Sequence, residues 1–126
     1  MKFVIYVFTL TLLISCRKET PEELEAFIGD YHLIYIKYSE TEFWTPDEIE
    51  YEVGLKILEN STLETYVDGK IFKKHTFDEV VSNTEEKIIV RYRKNLNKNI
   101  LVYIHKNGVI ETEDFPFPKK SNFFKK

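Results

Sequence analysis

Residues 49–58 read IEYEVGLKIL, and the apolar side chains fall on every second position: Ile49, Tyr51, Val53, Leu55 and Ile57. Glu50, Glu52 and Lys56 stand between them. Successive side chains of a strand point to opposite faces, so this stretch offers one face to a core and one to water. A strand covered on both faces, as in a parallel sheet, would read instead as an unbroken apolar run. The alternation therefore predicts an antiparallel, half-buried strand. Gly54 sits on its polar side, where it can mark a bulge or a bend.

Six other segments have the same character: residues 31–38 (YHLIYIKY), 62–67 (TLETYV), 70–77 (KIFKKHTF), 87–93 (KIIVRYR), 99–105 (NILVYIH) and 109–113 (VIETE). β-Branched and aromatic residues dominate them, as a pleated surface prefers. Asp68-Gly69 and Asn107-Gly108 are hairpin signals, Glu59-Asn60-Ser61 makes a turn, and the loop KNLNK separates the fifth and sixth segments. Links this short make sequential strands neighbours, so the sheet is a meander whose apolar face must be hidden by curling into a barrel or folding over. The fold class expected is mainly β, an antiparallel meander closing into a small barrel or rolled sheet, with one short N-terminal helix. TPEELEAFIG supplies that helix: Thr20 as N-cap, Pro21 in the first turn, Glu23 completing a capping box, an apolar stripe of Leu24, Phe27 and Ile28, and Gly29 as C-cap. TPDE, at residues 45–48, echoes TPEE but precedes a strand, which predicts a single turn.

The chain begins with Lys2 and an apolar, hydroxyl-bearing run over residues 3–14, the layout of a signal peptide too short to span a bilayer as a helix. The run ends Leu13-Ile14-Ser15-Cys16, which resembles the lipobox of bacterial lipoproteins. The resemblance implies diacylglyceryl attachment at Cys16, cleavage before it, and anchoring to a membrane by acyl chains that each gain about 0.8 kcal/mol per buried methylene. Arg17 and Lys18 do not resemble the aspartate signal for inner-membrane retention, so the implied location is the outer membrane of a Gram-negative cell, on either its periplasmic or its surface side. Cys16 is also the only cysteine, which excludes an intrachain disulfide. The expected organisation is a signal over residues 1–15, a lipidated tether over 16–20, one β domain over 21–114 and a tail over 115–126.

A helical turn, then Gly-x-aromatic, then a meander of hairpins is similar to the lipocalin-like family. Gly29-Asp30-Tyr31 stands where lipocalins carry Gly-x-Trp, with tyrosine replacing tryptophan, and the resemblance covers roughly residues 27–113. It implies a barrel and a carrier of a small apolar ligand. Seven short strands lined with Ile, Val, Leu and Tyr are expected to pack nearly solid instead, at ordinary core density.

No motif carries catalysis. Ser39, Ser61, Ser82 and Ser121 lack a Gly-x-Ser-x-Gly context, and the glycines are too scattered to cradle phosphate. His32, His75 and His105 have no metal-site spacing and are expected at strand surfaces or edges. No metal and no cofactor are expected. The formal charge of −3 in an exported chain argues against nucleic acid. Residues 19–59 hold twelve acidic side chains against Lys37 and Lys56, while from residue 87 onward ten basic ones face Glu111, Glu113 and Asp114. Pairing between adjacent strands is the favoured use of that asymmetry, and steering of a partner is the other.

The loop SETEFWTPDEIE places Glu40, Glu42, Asp47 and Glu48 around Trp44, the only tryptophan, beside Phe43. Paired carboxylates flanking a sugar could hydrolyse a glycoside, and tryptophans are enriched at interface hot spots. The favoured reading is a solvated acidic loop whose Phe43 and Trp44 fold back as a lid over the core. The candidate ligand or partner contacts are Tyr31, Glu40, Glu42, Phe43, Trp44 and Asp47. The candidate partners are an envelope protein, a glycan or a small apolar ligand. The tail DFPFPKKSNFFKK, whose Phe-Pro-Phe-Pro prevents ladder pairing, is expected to fray, to strap across the domain, or to touch an anionic membrane through Phe123 and Phe124.

Overall fold

The computed structural model describes residues 20–60, 62–95, 98–118 and 120–126. The segment expected to be a signal, residues 1–15, and Cys16 lie outside them. The elements in order are helix α1 (Glu22–Glu25), strands β1 (Gly29–Lys37) and β2 (Phe43–Trp44), helix α2 (Pro46–Ile49), and strands β3 (Val53–Ile57), β4 (Thr62–Val67), β5 (Lys70–Asn83), β6 (Lys87–Asn95), β7 (Lys98–His105), β8 (Val109–Glu113) and β9 (Ser121–Lys125).

Eight strands form a closed antiparallel barrel in the order β1-β3-β4-β5-β6-β7-β8-β9, with β9 returning to pair with β1. The meander and the short N-terminal helix agree with the sequence, and the architecture is consistent with a lipocalin-like barrel. Closure leaves few unpaired strand edges to template aggregation. The eighth strand comes from the segment that the sequence sets apart as a tail. Pro116 and Pro118 confine their disruption to the β8–β9 connection. Beyond them Ser121–Lys125 pairs with β1 from His32↔Lys125 to Lys37↔Ser121, and with β8 from Val109↔Lys125 to Glu113↔Ser121. Phe124 is fully buried, whereas Phe123 points outward and stacks on Tyr35 at 4.5 Å.

The same period-two logic fills the interior. Leu33, Ile36, Val53, Leu55, Ile57, Leu63, Ile88, Val90, Val102, Ile104 and Ile110 are all buried, and Tyr31, Tyr92, Phe115 and Phe124 are the largest side chains among them. Fully burying one such aliphatic or aromatic side chain contributes about 1.5–3 kcal/mol relative to leaving it exposed. Tyr31 donates its hydroxyl to the Phe27 carbonyl at 2.6 Å, which ties β1 to the segment entering from α1. Burial pushes its pKa up to about 12.

Several local expectations change. The alternation of residues 49–58 forms a ladder only from Val53, because Pro46–Ile49 is helical and Glu50 turns left-handed at φ 65°, leaving Tyr51 half exposed. Gly54 stays in regular register with His32 and Tyr66, without a bulge. Helix α1 begins at Glu22 with Pro21 as N-cap, so the Thr20 hydroxyl lies too early to cap it and meets no partner among the described residues. Gly29 opens β1 rather than ending the helix. Its φ of +144° suits glycine, and a Cβ there would come within 2.6 Å of Lys126 Cε. Strand β5 runs on to Asn83 through two register shifts, which hide its second half from any simple alternation.

The registers fix two ends. At one end α1 covers the core, with Leu24 completely buried, and Gly29 lies opposite Ile57. At the other end β1 finishes at Lys37, opposite Ser121 of β9 and Phe43 of β2. There β3 has parted from β1, and the two-residue β2 takes its place along Ile36 and Lys37. This second end, hereafter the rim, carries the acidic loop and the only tryptophan.

Candidate functional site

A groove of about 470 Å³ opens at the rim, lined by Lys37, Tyr38, Ser39, Glu40, Glu113, Asp114, Lys120 and Ser121. Two distant parts of the chain make it. Residues 37–40 leave the top of β1, and 113–121 link β8 to β9. The β1–β9 seam brings them together. The turn after β1 is held by local bonds: Tyr38 N–H donates to the Glu42 carbonyl at 2.9 Å, and Ser39 Oγ accepts the Glu42 N–H at 3.1 Å. On the far side Asp114, at φ 61°, donates its N–H to the Lys120 carbonyl at 3.2 Å.

Aromatic side chains stand beside this groove. Trp44 and Tyr38 lie nearly parallel, with ring centroids 5.3 Å apart and 4° between their planes. The Lys120 ammonium sits 3.9 Å from the Trp44 ring centroid and 4.9 Å from that of Tyr38. Phe43 meets Tyr35 edge-on at 5.6 Å, and Tyr35 continues the row to Phe123. Trp44 is 37% exposed, Phe43 49% and Tyr38 50%, so the row lies on the outer surface. Trp44 and Phe43 are therefore not a lid over the core.

Of the acidic candidates, Glu40 lines the groove and pairs with Lys37 at 3.5 Å, its own side chain almost wholly in water. Glu42 and Asp47 do not line it. Asp47 lies in the first turn of α2. Tyr31 lies away from the rim surface, 2% exposed within the core. Ion pairs lie on the barrel wall, where Lys56 meets Asp30, Lys74 meets Glu64, and Arg91 meets both Asp78 and Glu79. None of these joins the acidic residues 19–59 to the basic residues from 87 onward, as the charge asymmetry led one to expect. Among the described residues, Glu42, Asp47, Glu50 and Glu52 of the rim loop form no ion pair, so the loop keeps its negative charge. The groove residues Tyr38, Lys120, Glu113 and Asp114 were not legible as a site, because only barrel closure makes them neighbours.

The histidines do not converge. His32 is exposed, and His105 faces Glu111 at 3.3 Å. His75 departs from the surface position expected of it: it is 1% exposed, under the Phe115 ring at 5.0 Å. Neither ring nitrogen meets a well-aligned hydrogen-bond partner. Burial, with Lys73 and Lys94 adding to it, lowers its pKa to about 4, and the Arg93 backbone offsets a little of that. Above it, the Phe115 carbonyl accepts bonds from Thr112 Oγ1 at 2.6 Å and Asn122 Nδ2 at 2.8 Å, fixing Phe115 as an inner plug beneath the rim. Among the described residues no group of three or more His, Cys, Asp or Glu side chains gathers in a metal-binding arrangement. None of their helices is long and apolar enough to cross a membrane.

Chemically the rim offers two exposed ring faces, three carboxylates and two ammonium groups around an open groove, which is equipment for holding a polar ligand. No protein-family model matches the chain, and no curated protein or solved structure matches it significantly.

Proposed function

We propose that this protein is a lipid-anchored, non-enzymatic binding module of the bacterial envelope that meets its partner at the rim around Trp44. The observation that carries the reading is the contrast between a filled interior and an equipped surface. Tyr31, Tyr92, Phe115 and Phe124 occupy the inside of the barrel together with its aliphatic side chains, so a carried apolar ligand would have to displace them. The exposed aromatic row and the groove lie at the rim instead.

Lipid anchoring rests on Leu13-Ile14-Ser15-Cys16 after the apolar run. It also accords with the direction in which the domain is entered. From Cys16 to Pro21 the chain can reach at most about 18 Å when fully extended. An acylated Cys16 would thus hold the α1 end toward the bilayer and turn the rim outward.

Trp44 is the sole tryptophan, so emission excited selectively at tryptophan, beyond the tyrosine absorption, reports on the rim alone. The soluble domain is titrated with fractionated envelope proteins and glycan fragments, and complexes are identified by native mass spectrometry. A complex that shifts Trp44 emission, and is lost in Trp44→Ala, is expected. A fatty acid bound one to one inside the folded barrel, or a complex indifferent to Trp44, would overturn the rim assignment. Separately, Cys16→Ser should abolish lipid labelling and release the protein from membranes; unchanged membrane fractionation of the variant would sink the anchoring.

A further inference from the structure

We propose that Trp44 and Tyr38 form the aromatic floor of a site for an organic ammonium group, which Lys120 occupies from within the chain. This rests on the rim reading and names the ligand chemistry that the rim selects.

Three observations combine. First, the Lys120 ammonium lies within 5 Å of both ring centroids, inside the roughly 6 Å over which a cation is attracted by the negative face of an aromatic ring. The faces of Trp and Tyr rings are the surfaces by which aromatic sites recognise alkylated ammonium ligands. Second, the rings are not there to fill the core. Both are well exposed, and the buried cluster is complete without them. Third, the groove beside them is lined by Glu40, Glu113 and Asp114, against Lys37 and Lys120 itself. When Lys120 swings away, Glu40 stays paired with Lys37, and Glu113 leaves the described lining with an excess of negative charge. The groove then favours a positive ligand and opposes a phosphate or a carboxylate.

The groove also has room beyond a lysine head group. Its volume of about 470 Å³ falls within the range of small-molecule sites, roughly 300–1,000 Å³. Lys120 is thus an internal competitor. It holds the site closed to weak cations and yields to a ligand that adds contacts along Ser39, Ser121 and the carboxylates. The ammonium could belong to a free amine or to a lysine side chain of a peptide; the recognition chemistry is the same.

The test uses tetramethylammonium as the probe, with Trp44 emission as the readout and sodium chloride at equal ionic strength as the control. A saturable change with tetramethylammonium is expected, with none from neutral tert-butanol. Lys120→Met and Lys120→Gln remove the competitor and should tighten the apparent dissociation constant about tenfold. Thermal unfolding confirms that both variants remain folded. Butylammonium and a short lysine peptide, added in separate titrations, distinguish the two sources of the ammonium.

A response that does not saturate, or that sodium chloride reproduces, overturns the cation site. Weaker or unchanged binding in both folded Lys120 variants overturns the internal competition. If an envelope complex shifts Trp44 while tetramethylammonium does not, the rim survives as a contact and only its ligand chemistry falls. If tetramethylammonium binds and no envelope complex touches Trp44, the cation site stands without the partner reading.

Discussion

Two stretches of this chain are nearly the same sentence. Thr20-Pro21-Glu22-Glu23-Leu24-Glu25 and Thr45-Pro46-Asp47-Glu48-Ile49-Glu50 share a threonine, a proline, two acids, an aliphatic residue and a glutamate. Each forms a single helical turn, four residues long. Their fates differ. The first lies against the barrel and buries Leu24 completely, while the second buries no residue and leaves Ile49 only partly covered against the core. Local chemistry chooses the turn in both places, but tertiary context decides whether it seals the structure. At one end the helix covers the core; at the other Phe115 plugs the interior and the helical turn stands beside the aromatic groove.

On that contrast, stability resides in the seam and the helix-covered end, and the rim is free to bind. The strongest way to break it is at the seam. Phe124 is fully buried on the strand that closes the barrel, and Phe124→Ala should cost about 3–5 kcal/mol, much of the stability of a small domain. Chemical denaturation measures it, and a loss below about 1 kcal/mol would show that β9 is not part of the cooperative unit. Phe123→Ala, one residue earlier on the outward face, serves as the matched control.

The paired turns offer the next test. Leu24→Ala should destabilise by about 2–5 kcal/mol, and Ile49→Ala by clearly less, since less apolar surface leaves water there. Equal losses in urea titrations of the two variants would erase the distinction between the ends.

Much of the sealed architecture was legible because it is written in neighbouring residues. The alternation at Val53, Leu55 and Ile57 marks a half-buried strand, and Asp68-Gly69 supplies a turn whose two residues adopt φ 51° and 78°. The closing strand was hidden by long-range pairing. Ser121–Lys125 reads as a basic tail behind two prolines, and its partner β1 lies at the opposite end of the sequence. The burial of His75 is hidden for a related reason. In KIFKKHTF its face is set by the register with Leu63, not by its own polarity. At the rim, Trp44 was visible as a lone tryptophan among acids and Tyr38 reaches it through the short β1–β2 hairpin, but Lys120 becomes its neighbour only once the seam has formed.

His75 gives the third test, because it lies inside the barrel beneath the open rim. Its pKa is about 4 in the fold against an ordinary 6.5, so the unfolded chain takes up the proton first as pH falls. Stability associated with His75 is full above pH 6.5, declines between pH 6.5 and 4, and levels off below. The total is about 3 kcal/mol, because each pH interval of one between the two pKa values contributes roughly 1.36 kcal/mol. His75→Leu should flatten that part of the pH profile relative to the parent, and it removes two buried nitrogens that meet no well-aligned hydrogen-bond partner. Parallel pH profiles for parent and variant would mean that His75 is not held neutral by the core.

The smallest effect is the most telling for the rim. Trp44→Ala removes a partly exposed ring whose partners are Tyr38 and Lys120, neither of them core residues. An exposed cation–π contact contributes about 0.5–1 kcal/mol and the stacking on Tyr38 about 0.5–1.5 kcal/mol, so the variant should lose about 1–2 kcal/mol of stability while losing the binding that the rim supports. A loss of several kcal/mol would instead make Trp44 a structural brace of the β1–β2 flap. The separation of the two effects is what marks a residue kept for contact: Phe124→Ala should abolish binding only by unfolding the barrel, whereas Trp44→Ala should abolish it in a barrel that remains closed.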